Sequence, residues 1–279
     1  MVAVSGGVDS MALLHLLHGR PGVELVVAHF EHGVREDSDE DRKLVQKVAE
    51  GYRLPFVFKH GNLGAAVSEE KARHARYQFL HETKQQMKAR AIITAHHQDD
   101  VIETAILNLI RGTGRKGLTS LSSHDDLLRP LLNVPKLDII GHAKTHNLQW
   151  REDSTNESTN YLRNYIRQNG VPRLGAEGKK SLLKILRQTE ELNAQIDEEI
   201  TQMFDLDSDQ LDRKLFILLP HAVSKEVMAS WLRAHELRNF DQKTLERLVV
   251  AAKTFAPNQK ANIISGKFLS VQKSRLKIV

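Results

Sequence analysis

Two short strings in the chain hold residue types that together handle phosphate. The first is Ser5-Gly6-Gly7-Val8-Asp9-Ser10. Two glycines let the main chain approach a ligand closely and adopt dihedrals closed to other residues. A helix starting directly behind them would aim free N–H groups and a positive dipole end at the same point. Ser5 and Ser10 add hydroxyls, while Asp9 would repel a phosphate unless a cation lies between them, which points to Mg²⁺. The plainer reading is a strand–turn–helix connection with a serine cap. The second string is His96-His97-Gln98-Asp99-Asp100. Its side chains read as a metal cluster or as a structural cap. Other phosphate signatures fail. Gly112 to Gly117 has Walker-like spacing, but Leu118 stands where lysine is required, and no Gly-x-Gly-x-x-Gly follows the first strand.

The elements that must position these strings alternate. Val2–Val4 reads as a strand, Asp9–His18 as a helix ended by Gly19 and Pro21, and Val23–Phe30 as a second strand. Asp37–Tyr52 has helical spacing, with Leu44, Val45, Val48 and Ala49 on one face. Pro55–Lys59 reads as a strand and Ser68 opens a long helix. Ala91–Ala95 is a short buried strand and Asp99–Ile110 another helix. This pattern predicts an α/β fold with a parallel Rossmann-like sheet, whose site lies at the carboxyl ends of the strands. Ser5–Ser10, His29–Arg35 and His96–Asp100 all fall there. Arg73 and Arg76, three apart, share a helix face that is either solvated or turned to an anion. Further on, Pro135–Asn147 reads as a helix, Gly170 to Gly178 as a linker, and Lys180–Phe204, Pro220–His235 and Asp241–Phe255 as helices. A hairpin or small sheet is expected from Pro257 onward. The expected organisation is an α/β catalytic domain over 1–175 and a smaller, mainly helical C-terminal domain over 176–279.

Composition narrows the function. Of 279 residues, 27% are charged, 41% are hydrophobic and none is cysteine. That excludes disulfide frameworks, cysteine zinc sites, iron–sulfur clusters and thiol catalysis. No apolar run approaches the roughly 18 residues of a membrane span, and no basic n-region precedes the first apolar stretch, so a cytoplasmic protein away from membranes is expected. The net charge of +5 hides segregation. Residues 163–188 hold seven bases and one acid, residues 190–212 nine acids and no base, and residues 258–279 five bases and no acid. Basic blocks of this kind suggest a polyanionic partner, against the alternative of solvated helix faces.

Ser5–Ser10 resembles the PP-loop of the N-type ATP pyrophosphatases. The resemblance implies an adenine nucleotide α-hydrolase-like domain that cleaves ATP between its α and β phosphates. A substrate carbonyl oxygen is adenylated, and a nucleophile then displaces AMP. The remaining strings resemble the tRNA(Ile)-lysidine synthetase branch. They are His29-Phe-Glu-His32-Gly33-Val-Arg35, Ala72-Arg73-His-Ala-Arg76-Tyr77, Thr94-Ala-His96-His97-Gln-Asp99-Asp100, Glu103-Thr104, Arg111-Gly112-Thr-Gly114, Arg129-Pro130-Leu131-Leu132, Glu152-Asp153-Ser-Thr-Asn156 and Arg163-Asn164-Tyr-Ile-Arg167. Glu31, Val34, Ala95 and Val101 depart from the branch pattern without removing a charged group.

That branch attaches L-lysine to C2 of the wobble cytidine, position 34, of the CAU-anticodon isoleucine tRNA. The tRNA is first adenylated, and pyrophosphate and AMP are released. The resemblance implies that Ser5, Gly6, Gly7, Val8, Asp9, Ser10 and Arg73 bind ATP. Asp9, His96 and Asp100 would be catalytic, with Asp9 and Asp100 as candidate Mg²⁺ partners. A carboxylate near the lysine ammonium selects the substrate and can take its proton on attack, and Asp100 is the candidate for that base. Arg76, Arg111, Arg115, Arg129, Arg163 and Arg167 would contact tRNA, and the C-terminal part would help to dock it. His32 would lie near the target base, whereas His29, Tyr77 and Trp150 read as packing residues. The absence of cysteine argues against the thiolating relatives and for an amine nucleophile. Two rivals remain: another PP-loop amide-forming or tRNA-modifying ligase, and a non-catalytic adenine-nucleotide sensor. Asp9 and Asp100 argue against the sensor. A homodimer is left open.

Overall fold

The structure, a computed structural model, describes residues 1–31, 38–61, 64, 67–151, 162–237, 240–264 and 266–279. Strands and helices alternate from the start: β1 (Val2–Ala3), α1 (Val8–His18), β2 (Val27–Glu31), α2 (Ser38–Gly51), β3 (Phe56–His60) and α3 (Glu69–Gln86). They continue as β4 (Ile92–Ile93), α4 (Gln98–Ile110), a short α5 (Arg115–Leu118), β5 (Leu127–Leu128) and α6 (Lys136–Thr145). The five strands form one parallel sheet in the order β3-β2-β1-β4-β5. All five residues of β2 are buried, as a strand covered on both faces requires. Met11, Leu13 and Leu14 of α1 pack with Val45 and Ala49 of α2 and Ile139 of α6 in one core. Ser68 caps α3 by accepting the Lys71 N–H at 3.3 Å.

The second strand begins at Val27 and not at Val23. Its partner β1 starts at Val2, opposite Val27, so residues 23–25 have no strand beside them. The Gly170–Gly178 stretch is folded and is no linker. A short α7 (Leu162–Tyr165) leads into a π-helical turn (Ile166–Gly170), a 3₁₀ turn (Pro172–Leu174) and the long helix α8 (Gly175–Met203). Ile166 and Val171 bury against Ile102 and Leu107 of α4. That apolar contact holds together a segment whose glycines and proline would otherwise favour open chain.

The chain divides into two compact units, Met1–Thr189 and Glu190–Val279, the division falling inside α8. The second unit contains the end of α8, β6 (Gln210–Asp212), α9 (Arg213–Leu218), α10 (His221–Ala234), α11 (Gln242–Thr254), β7 (Lys260–Asn262), β8 (Phe268–Val271) and β9 (Arg275–Ile278). It is mainly helical, around a core led by Trp231, Phe216, Leu232 and Leu248. The expected terminal sheet is present and gains a fourth strand, in the antiparallel order β6-β9-β8-β7. Among the described residues no helix is long and apolar enough to cross a membrane.

Candidate active site

Strand order reverses between β1 and β4. At such a switch point the connections on either side diverge and leave a crevice at the carboxyl ends of the strands. The Ser5–Ser10 loop leaves β1 and the His96–Asp100 string leaves β4, so both open onto it. Gly6 has φ +97°, a left-handed conformation that side chains resist. Ser10 is buried; its hydroxyl donates to Gly7 O at 2.9 Å and accepts the Ser5 N–H at 3.1 Å. Ser5 Oγ lies 3.2 Å from Ser10 Oγ and accepts the Gly7 N–H at 3.4 Å. The two serines therefore tie the loop. Gly7, the N-cap of α1, places no side chain over the helix end, so the amides of Val8, Asp9 and Ser10 have no capping group. An anion is the natural partner for such a helix end.

Acidic groups line the same crevice, each answered by a base. Lys136 Nζ, from the first residue of α6, donates to both oxygens of Asp9 at 2.6 and 2.7 Å. His97 is the N-cap of α4. Its Nδ1 accepts the Asp99 N–H at 3.2 Å, and its own N–H donates to Asp100 Oδ2 at 2.8 Å, a reciprocal capping box. Because Nδ1 accepts, the proton of a neutral His97 sits on Nε2. That atom lies 3.7 Å from Asp9 Oδ2 and 3.6 Å from Asp100 Oδ2, between the two carboxylates. Arg167 grips Glu103 through Nε (2.7 Å) and Nη2 (2.8 Å), and its Nη2 also reaches Asp100 Oδ1 at 3.2 Å. Arg163 Nη2 donates to Thr104 Oγ1 at 2.9 Å, and Lys179 Nζ to Asp99 Oδ1 at 3.1 Å.

Burial opposes ionisation of Asp100, but the His97 imidazole and backbone N–H, with His96 and Arg167, hold its carboxyl below the usual range. Glu103, one turn further along α4 and 1% exposed, is pushed up by burial, which Arg167 only partly offsets. Burial also drives the His96 imidazole down to about 3; Asp100 opposes that shift, and Arg76, Arg129 and Arg73 add to it. His96 is thus neutral at physiological pH, with its Nδ1 2.9 Å from Thr94 Oγ1. Three guanidiniums surround it, two from α3 and one from the residue that follows β5. Arg73 and Arg76 stand over the Tyr77 ring at 4.8 and 5.4 Å, and Arg76 Nε is buried without a hydrogen-bond partner. Arg129 is buried and donates through Nη1 to Ser122 O. Among the described residues no ion pair engages these three arginines, so their charge is available to an anion.

Residues 1–174 match the family model of the PP-loop domain. A tRNA(Ile)-lysidine synthase from Petrotoga mobilis is 31% identical over 228 residues, covering 77% of this chain and 73% of that protein. The chain belongs to the tRNA(Ile)-lysidine synthase branch of the PP-loop family. The corresponding protein of Thermotoga maritima is 35% identical over 62% of this chain, and that of Rickettsia bellii 37% identical over 60%. The matched part spans 44% and 41% of those two relatives, so the match reaches less than half of the length of either. Among solved structures, the U34-tRNA thiolase NcsA of Methanococcus maripaludis, determined with its [4Fe-4S] cluster, shares the fold. Its TM-score is 0.57 at 18% identity, over 68% of this chain and 71% of that one.

The PP-loop site fits a Mg²⁺ ion brought in by phosphate. Two carboxylates, Asp9 and Asp100, flank one imidazole, and Mg²⁺ takes one or two carboxylates with phosphate oxygens and water. Among the described residues no group of three histidine or acidic side chains forms a ready metal cage. The expected site residues fall into two places. Ser5, Gly6, Gly7, Val8, Asp9, Ser10, Arg73, Arg76, His96, Asp100, Arg129, Arg163 and Arg167 gather at the crevice. Arg111 caps the far end of α4 and Arg115 begins α5, about 20 Å along the helix from His97. His32, the Gly33–Arg35 string and the Glu152–Asn156 string lie outside the described residues. His29 is a packing residue, with Nδ1 2.8 Å from Val4 O.

Four roles were not assigned from the sequence: His97 as the bridge, Glu103 as the buried partner of Arg167, and the pairing of Lys136 and Lys179 with the crevice carboxylates. For Glu103, already part of the Glu103-Thr104 string, the signal for burial was its place as a lone carboxylate in the apolar run 101–110. Lys136 and Lys179 had none, since each reaches its partner across a large sequence separation.

Proposed function

We propose that this chain attaches L-lysine to the wobble cytidine of the CAU-anticodon isoleucine tRNA, in the cytoplasm, at the expense of ATP. The observation that carries the reading is the pairing, at one crevice, of an uncapped helix N-terminus with buried carboxylates. The first suits a triphosphate and the second an ammonium-bearing substrate. The amides of Val8, Asp9 and Ser10 and the guanidiniums of Arg73, Arg76 and Arg129 receive phosphate charge. A Mg²⁺ ion on Asp9 and Asp100 would neutralise the triphosphate, with Lys136 giving up its hold on Asp9.

Oxygen O2 of cytidine 34 attacks the α-phosphorus, pyrophosphate leaves, and AMP becomes the leaving group on C2. Attack by lysine needs a neutral amine, whose fraction at pH 7 is only a few parts in ten thousand for a free pKa of roughly 10.4. Asp100, kept ionised by His97, attracts the ammonium and accepts its proton as the C–N bond forms. Neutral His96, amid the arginines, can hydrogen-bond to the adenylate without adding charge.

The test is incubation with unmodified CAU tRNA, ATP, Mg²⁺ and isotope-labelled lysine, followed by mass spectrometry of the nucleosides. Lysidine must form only when all components are present, and an AMP adduct must precede it. Label entering tRNA without ATP, or pyrophosphate release indifferent to tRNA, would overturn the reading.

A further inference from the structure

At the opposite end of α1 from the phosphate loop, three histidines meet. His15 Nδ1 lies 3.0 Å from His142 Nε2. The ring centroids of His15, His142 and His146 form a triangle with sides of 5.1, 4.7 and 4.4 Å. We propose that His15, His142 and His146 form a site for a divalent transition metal of the zinc class, clamping the ends of α1 and α6 together. It does not depend on the activity proposed above.

Three features argue for a metal. The first is spacing. His142 and His146 are four apart on one helical face, the interval at which two imidazoles bind one zinc ion, and His15 faces them from a second helix. Two imidazole nitrogens bound at about 2.1 Å stand about 3.0–3.4 Å apart, which the His15–His142 separation already meets. The second is charge. Asp9 and Lys136 pair at the first turns of α1 and α6, and the histidines meet at the last turns, so the helices run parallel. The negative ends of both dipoles therefore fall at the cluster, where a cation is favoured. The third is the absence of an acidic partner. Among the described residues no acidic group pairs with the three rings. His18, one turn from His15, is engaged otherwise, stacked on Tyr52 at 4.1 Å. The three donors are not yet set around one point. Closure needs a tautomer change in the His15–His142 pair and a turn of the exposed His146 ring; water completes the coordination.

The test uses the full chain without a polyhistidine tag, stripped by chelator and titrated with ZnCl₂ in a calorimeter. One equivalent should bind, and saturating Zn²⁺ should raise the unfolding midpoint by about 3 °C or more. His15→Gln and the double variant His142→Gln/His146→Gln should lose both effects, and His18→Gln should keep them. The unaltered chain gives a readout that needs no variant: bound Co²⁺ should produce contact-shifted imidazole N–H resonances from three histidines. Failure to bind Zn²⁺ below about 100 µM, an undiminished response in the double variant, or fewer than three shifted imidazoles would overturn the proposal.

Discussion

His97 sets the protonation pattern of the crevice. Its Nδ1 is committed to the α4 cap, so Nε2 is the atom presented to Asp9 and Asp100. The Asp100 carboxylate then keeps a hydrogen-bonded charge while its neighbour Glu103 is balanced by Arg167. Asp100→Asn should cut single-turnover lysine transfer by about 100-fold or more while leaving tRNA adenylation less affected, as pyrophosphate release would show. Glu103→Ala should act on stability, because it leaves Arg167 without its buried partner. Chemical denaturation should read a loss of about 3 kcal/mol. His96 gives a pH effect of defined sign. Its folded pKa is about 3 and its unfolded value 6.5, so the unfolded chain binds the extra proton between them. Stability contributed by neutral His96 is complete above pH 7 and lost as pH falls from about 6.5 towards 3, about 1 kcal/mol by pH 5.5. Thermal unfolding at pH 7.5 and 5.5 should show the drop, smaller in His96→Asn.

Local bonds shape the phosphate loop. Gly6 in the left-handed region and the Ser5–Ser10 ties fix its path before the first turn of α1. Gly6→Ala should cost about 1–2 kcal/mol through φ alone, since an added Cβ would meet only ordinary contacts, the nearest at 3.5 Å. It should weaken ATP binding by about tenfold in equilibrium dialysis as the loop relaxes. Elements with their own local signals were legible in the sequence: α1 before Gly19, α3 behind the Ser68 cap, and the apolar face of α2. The two-residue β5 was not, and with it the reason Arg129 stands at the crevice. Leu127 and Leu128 become a strand only because Ile92 and Ile93 lie beside them. The Gly170–Gly178 segment misled for the converse reason. Its composition is that of open chain, and its order comes from burial against α4.

Across the molecule, the basic block 163–188 divides its work. Arg163, Arg167 and Lys179 turn to Thr104, Glu103 and Asp99 of α4, and Arg187 to Asn133. The block therefore serves first as counter-charge within Met1–Thr189, and fewer of its cations face a polyanion than the sequence count implies. Affinity for tRNA should still fall with salt, with a log–log slope nearer −3 to −4 than the roughly −6 that seven released counterions would give. Filter binding between 50 and 300 mM KCl would measure it. The segregated charge of the second unit adds to this only through residues 258–279, because the stretch 190–212 is acidic.

The sequence by itself determined the phosphate loop, the double-histidine string, the alternation that makes a parallel sheet, and the family. Each is written in contiguous residues whose preferences act over one turn or one strand. Only the tertiary structure decided which charges answer one another: Lys136 to Asp9, Arg167 to Asp100 and Glu103, Lys179 to Asp99, and three arginines around His96. Those partners are far apart along the chain and are brought together by strand order and helix packing. Their protonation depends on burial, which a linear sequence does not specify.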